Sequence, residues 1–277
     1  MLKDMTLGQF FPGSSILHRL DPRMKLALTV LYIVIIFLAK NVYAYAALLV
    51  SAVLLVLLSR LSLRVVLRGL RPILFILAFT MLLNIFFTGG SVPLVSFWGI
   101  TIYREGVIRA ALMALRVVVL VIGTSVFLTY TTSPIVLTDA IESVLSPLKK
   151  IRVPVHDFAM MLTIALRFIP TLVEETDKIM NAQKARGAAF DTGNIFSRAK
   201  ALVPVIIPLL VSSFGRADEL ATAMECRCYR GDVGRTKFVR MHLHGRDFGA
   251  LFLFVAFGAG IVLANIFLTR LGIGFVV

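Results

Sequence analysis

Phe158–Gly187 reads FAMMLTIALRFIPTLVEETDKIMNAQKARG, and its two halves suit different solvents. The first half, through Val173, carries Arg167 as its one charge, whereas the second carries Glu174, Glu175, Asp177, Lys178, Lys184 and Arg186. A helix of this kind is half buried against apolar partners and half delivered into water. The design recurs once: ALVPVIIPLLVSSF at Ala201–Phe214 leads into GRADELATAMECRC at Gly215–Cys228. Whether these two apolar runs cross a bilayer or stay on one side of it decides the fold.

The chain around them is apolar throughout, with 58% hydrophobic and only 16% charged residues among 277. That balance belongs to a membrane protein. The net charge of +14 then reads as cytoplasmic basic residues facing anionic headgroups, and nucleic acid is not expected as a partner. The two cysteines, Cys226 and Cys228, are too close for a disulfide across a fold and too few for a zinc site, so a reduced, cytosolic setting is expected. The N-terminal MLKDMTLGQFFPGSSILHRLDPRMK lacks the apolar core of a cleavable signal. The membrane anchor is therefore the body of the chain.

Five stretches read as spans. Leu26–Ala39, fenced by Lys25 and Lys40, reaches only about 21 Å as a helix. It crosses only if those lysines, and Arg23, snorkel outward. Val42–Ser59 and Pro72–Thr88 are long enough. Between them Arg60, Arg64, Arg68 and Arg71 recur at helical spacing, an interfacial basic stripe. The following GGSVPLVSFWGITIY reads as a loop anchored by Trp98 and Tyr103. Val107–Thr129 contains Arg116, which must face protein or a wet crevice. Phe248–Leu268 is the last span.

With the N-terminus inside, the inner segments hold 4, 4 and 16 of the 29 lysines and arginines, which orients the chain with a cytoplasmic N-terminus. Making Phe158–Val173 and Ala201–Phe214 a sixth and seventh span would keep this parity. It would also export Lys178, Lys184, Arg186, Arg198 and Lys200, bury Arg167 at mid-membrane, and ask a run interrupted by Pro204 and Pro208 to cross. The expected fold is therefore an all-α integral membrane protein with about five transmembrane helices plus a cytoplasmic domain of long amphipathic coupling helices. The expected organisation is 1–130 for the N-terminal segment and helices 1–4, 131–246 for the coupling-helix domain, and 247–277 for the last transmembrane helix.

Catalytic patterns are missing. No G-x-x-x-x-G-K-[ST] phosphate loop occurs, and FGAGIVLAN in the last span lacks the third glycine of a dinucleotide fingerprint, so close helix packing is its expected use. His242 and His244 have no evident third ligand and read as headgroup contacts. Glu174, Glu175 and Asp177 read as a solvated helix face. Asp139 and Glu142, on an amphipathic helix started by the Thr132–Pro134 turn and ended near Pro147, also read as facing solvent. No carboxylate pair falls inside a span, which argues against a proton-driven pump. The expectation is a non-catalytic chain without cofactor or metal. A stand-alone secondary transporter remains the alternative, although only Arg116 resembles a midplane polar site.

The ends of the two amphipathic segments stand out instead. A shift of 41 residues lays Asp177 on Asp218, Ala182 on Ala223 and Arg186 on Arg227. Near a helix C-terminus an arginine meets unpaired carbonyls and the negative dipole end, and Gly187 suits the position just after the stop. Each arginine alone can be read as a cap for its own helix. Two such ends in tandem read as docking knobs, since the guanidinium fork can pair with a carboxylate or several carbonyls of a partner.

These residues, taken in order, resemble the T-component family of energy-coupling factor (ECF) transporters. The S-x-L-H-x-L-D-P-R-x-K pattern is met by Ser15, Leu17, His18, Leu20, Asp21, Pro22, Arg23 and Lys25. The Ala-Arg-Gly motif is met by Ala185, Arg186 and Gly187. Its second occurrence is Cys226, Arg227 and Cys228, followed by YRG and then GRTK at Gly234–Lys237. The resemblance implies a scaffold in a bacterial cell membrane that joins two cytosolic ABC ATPase subunits to an exchangeable membrane-embedded substrate-binding S component, for uptake of vitamins or other micronutrients. ATP hydrolysis would belong to the partners. It further implies that Ala185, Arg186, Gly187, Cys226, Arg227 and Cys228 dock the ATPases, and that His18, Asp21, Pro22 and Arg23 are structural. Cysteine on both sides of Arg227 departs from the Ala-Arg-Gly form, so those flanking positions carry over less directly than the arginine.

Overall fold

The structure, a computed structural model, describes residues 10–89, 93–97, 100–188, 190, 194–231 and 241–270, most of them helical. Trp98, expected to anchor a loop, and Gly234–Lys237, part of the second signature, lie outside the described residues. The elements run α1 (Pro22–Leu38), α2 (Val42–Ser59), α3 (Leu63–Leu70), α4 (Leu74–Phe87), β1 (Pro93–Phe97), β2 (Ile100–Tyr103), α5 (Arg104–Thr124), α6 (Pro134–Leu145), α7 (Val155–Ala185), α8 (Ile195–Cys226) and α9 (Gly245–Arg270).

Two compact units divide the chain. One is built from Ile141–Arg240, the other from Gln9–Ala140 together with Met241–Val277. In the second, α1 packs against α5 and α9, α2 against the same two helices, and α4 against α5. These helices cover most of the five apolar stretches read from the sequence. Where such helices face lipid, association rests on close packing rather than escape from water, so small residues and interlocking rings matter most. Tyr32, Phe127 and Phe254 meet edge to face with centroids 5.5–6.1 Å apart. Gly123 makes room for them, because a Cβ there would stand 2.1 Å from Cε1 of Tyr32. Gly258 of the FGAGIVLAN stretch is a packing glycine too, with Ile35 3.0 Å from where its Cβ would be, whereas a Cβ on Gly260 would meet nothing within 4 Å.

Several local expectations need correction. Lys25 does not snorkel: it is 2% exposed, and its Nζ donates to the Thr131 carbonyl at 2.9 Å, with longer bonds to Thr132 Oγ1 and the His18 carbonyl. Enough acceptors converge there to replace water around the ammonium. Within the stretch expected as a loop, Pro93–Phe97 and Ile100–Tyr103 pair as antiparallel strands, with Val95 opposite Ile102 and Phe97 opposite Ile100. Its Val, Ile, Thr and Tyr content suits extended pairing. The arginine stripe leads through α3 and one 3₁₀ turn at Pro72 directly into α4, so the basic segment and the apolar span form one rod.

Arg116 turns to protein, as its position required. It donates to the Ala39 carbonyl at 3.1 Å and to the Tyr45 hydroxyl, with its guanidinium 5.4 Å from the Tyr45 ring centroid.

In the other unit, α7 and α8 are each one helix, of 31 and 32 residues. Pro204 and Pro208 do not break α8. Pro208 has no N–H to offer the Pro204 carbonyl, and Gln183 Nε2 on α7 donates to that carbonyl at 3.3 Å instead. Glu142 is not a solvent-facing carboxylate either: it is buried, with Oε1 3.0 Å from Nδ1 of buried His156.

Among the described residues six helical segments are long and apolar enough to cross a membrane: Val42–Ser59, Leu63–Phe87, Arg104–Tyr130, Val155–Ala185, Arg198–Cys226 and Gly245–Phe267. α1, with 17 residues, falls just short of that length, and α7 and α8 reach it with the least apolar windows of the six.

Candidate functional site: the two helix ends and the N-terminal knot

The ends of α7 and α8 close with the same pair of cap bonds. At α7, Arg186 is the C-cap, the Gly187 N–H donates to the Lys184 carbonyl at 3.0 Å and the Ala188 N–H to the Gln183 carbonyl at 3.0 Å. At α8, the Cys228 N–H donates to the Glu225 carbonyl at 2.8 Å and the Tyr229 N–H to the Met224 carbonyl at 3.1 Å. Each is a Schellman motif, with the arginine in the last near-helical position and the next residue left-handed. The left-handed residue is Gly187 at φ 87° in one and Cys228 at φ 56° in the other. The 41-residue shift read from the sequence thus extends to the backbone hydrogen bonds.

This cap decides how the arginines are presented. The Gln183 and Lys184 carbonyls at one end, and the Met224 and Glu225 carbonyls at the other, already accept from backbone N–H groups, so neither guanidinium is needed for these cap bonds. Arg186 and Arg227 are exposed, as are Ala185, Gly187, Cys226 and Cys228, and both cysteines are free thiols. The six residues are not one cluster. α7 and α8 pack antiparallel, as Gln183 reaching Pro204 and Glu175 reaching Ser212 and Arg216 require. The pairing therefore places the two arginine-bearing ends at opposite ends of the hairpin.

The apolar half of α8 remains open, with Ile206, Ile207, Leu210, Val211 and Phe214 all exposed. On α7, Glu175 is not a free solvated carboxylate. Its Oε1 accepts from Ser212 Oγ at 2.6 Å and its Oε2 from Arg216. Sequence reading passed over that pair, although the 41-residue shift already lays Glu175 on Arg216.

The N-terminal signature is a hydrogen-bonded knot in the bundle unit. The His18 ring lies 2.6 Å from Ser15 Oγ through Nδ1 and 2.9 Å from the Phe11 carbonyl through Nε2. A carbonyl only accepts, so the neutral ring carries its proton on Nε2 and takes the Ser15 hydroxyl hydrogen at Nδ1. Asp21 caps α1 by accepting from the Arg23 N–H at 2.9 Å, with Pro22 at the first helical position. The Asp21 N–H in turn donates to Asp247 Oδ1 at 2.9 Å, while Asp247 Oδ2 accepts from the His244 N–H at 2.7 Å. One buried carboxylate thus serves the N-termini of both α1 and α9, where helix dipoles favour negative charge. Arg23 Nε is buried with no hydrogen-bond partner among the described residues. Asp247 went unremarked in the sequence, although its place three residues after His244 is that of a capping-box acid.

Among the described residues no group of three or more His, Cys, Asp and Glu side chains is arranged to hold a metal ion. The fold and these sites define a multi-pass, predominantly helical membrane protein whose distinctive surface is a pair of cationic helix ends. Comparison with known proteins places that architecture. The family model for CbiQ, described as cobalt transport protein, matches residues 13–238. The chain is 53% identical over 249 residues to the energy-coupling factor transporter transmembrane protein EcfT of Clostridium kluyveri, covering 90% of this chain and 92% of that one. It is 52% identical over 242 residues to EcfT of Ruminiclostridium cellulolyticum, covering 87% and 90%. With EcfT of Acidaminococcus fermentans the identity is 50% over 266 residues, covering 93% and 97%. The chain belongs to this family of energy-coupling factor transporter transmembrane proteins.

Proposed function

We propose that this chain is the energy-coupling scaffold of an ATP-driven importer, joining two cytosolic ABC ATPase subunits to an exchangeable membrane-embedded S component that carries the micronutrient. The observation that carries the reading is the pair of matching helix ends, each presenting an arginine that its own cap does not use. Ala185–Gly187 docks one ATPase and Cys226–Cys228 the other, while the open apolar halves of α7 and α8 receive the S component. The N-terminus is cytoplasmic, residues 131–246 form the coupling domain, and the remaining helices anchor it in the bacterial cell membrane. ATP is hydrolysed by the partners and not by this chain. Closure of the ATPase pair on ATP moves the two helix tips relative to each other, and the helices reorient the bound S component as levers.

The test is purification of the tagged chain from its native membranes in mild detergent, with mass spectrometry of the co-purifying proteins. Two ATPases and small membrane proteins are expected with the native chain. Arg186→Ala and Arg227→Ala are each expected to weaken ATPase capture by about 2–5 kcal/mol, because the partner's groove is left with an unmatched buried charge. Recovery of the chain alone from native membranes, or full ATPase capture by the double variant, overturns the reading.

A further inference from the structure

The contact between α7 and α8 has a special position in the 41-residue repeat. Glu175 and Arg216 are equivalent residues of the two copies, each eleven residues before the arginine at its helix end. When two antiparallel helices are related by a local two-fold, a residue can touch its own equivalent only at the axis. Contacts away from the axis join non-equivalent positions, as Gln183 with Pro204 does. The ion pair therefore joins equivalent positions of the two helices, each the same number of residues from its arginine-bearing end.

The chemistry at that point suits a pivot. Ser212 and Arg216 are one turn apart on α8, and the single Glu175 carboxylate accepts from both, one on each oxygen. Sliding one helix past the other by a turn, about 5.4 Å, would break both bonds, so axial register is pinned. Rotation of one helix across the other at the contact breaks neither. Extended ridge-and-groove packing, by contrast, ties register and crossing angle together. Each arm beyond the contact is about 16 Å long at the helical rise. Side chains of the pair remain 20% and 33% exposed, so its strength falls with ionic strength.

We propose that Glu175, clasping Ser212 and Arg216, is the fulcrum about which the two arginine-bearing arms scissor during the ATP cycle. The inference rests on the docking reading above and assigns positioning residues to it. The test uses the complex purified with its ATPases, carrying spin labels on non-natural amino acids at the equivalent exposed positions Asn181 and Thr222. The 181–222 distance is measured without nucleotide and with ATP. It is expected to change with ATP in the unaltered complex.

Glu175→Gln and Arg216→Glu are each expected to retain ATPase capture within about twofold, while the distance distribution broadens and loses its response to ATP. The exchange Glu175→Arg with Arg216→Glu is expected to restore that response. Retention of the response in both single variants overturns the fulcrum and leaves docking intact. Capture lost from the single variants and not regained by the exchange also overturns it, since the pair is then needed for folding rather than motion. No response to ATP in the unaltered complex overturns the lever reading and the fulcrum with it.

Discussion

Cys228 occupies a left-handed backbone position that its counterpart fills with Gly187, at φ 56° and φ 87° respectively. A side chain there costs about 1–2 kcal/mol, so the second helix end keeps the same cap under more strain than the first. Cys228→Gly is expected to raise the midpoint of thermal unfolding in detergent, because the cap hydrogen bonds are retained while the left-handed strain is relieved. Lys25 makes the opposite case, a charged residue sealed inside the fold. Lys25→Met leaves the Thr131 carbonyl without its 2.9 Å donor, and a loss of about 2–3 kcal/mol is expected, readable as a lower midpoint in the same assay. The sequence marked the arginines and Gly187 by spacing and residue type. It could not show that Lys25 turns inward, since that depends on the Thr131 carbonyl and the Thr132 hydroxyl arriving from a distant part of the chain.

At the scale of elements, the spans were legible because apolar runs of the right length are a one-dimensional property. So were the half-apolar, half-polar helices α7 and α8. The course of α8 through Pro204 and Pro208 was not, because the carbonyl left free by Pro208 is satisfied from α7, a contact between helices. The same holds for the aromatic cluster. Gly123→Ala pushes a methyl group into the Tyr32 ring, since even the Cβ position lies 2.1 Å from Cε1. The expected cost is about 1–3 kcal/mol of overpacking strain. Tyr32→Leu in the Gly123→Ala background is expected to recover part of it, and a double-mutant cycle on thermal stability measures the coupling. Additive effects of the two substitutions would show that the two residues do not press on each other.

For the whole molecule, the N-terminal knot sets parity. Asp21, Asp247 and Lys25 bring the start of α1, the start of α9 and Thr131 to one place, so both ends of the segment between α5 and α9 emerge on the same face as the start of the first span. In the coupling reading, α7 and α8 are wholly cytoplasmic. The two native cysteines, free and exposed at the end of α8, and a cysteine placed at Ala182 near the end of α7 are then all expected to react with a membrane-impermeant thiol reagent in inside-out vesicles and not in intact cells. Because the helices are antiparallel, two crossing helices would put those ends on opposite faces, and labelling of one end from each side would overturn the cytoplasmic assignment. Composition, run length and spacing by themselves determined that this is a predominantly helical membrane protein, where its apolar segments lie, and which two helix ends are chemically alike, because each is written along the chain. Only the tertiary structure decided that the alike ends point apart, that an ion pair between equivalent residues joins their helices, and that one buried carboxylate ties the first span to the last. Those depend on which distant residues meet, and local sequence does not specify that.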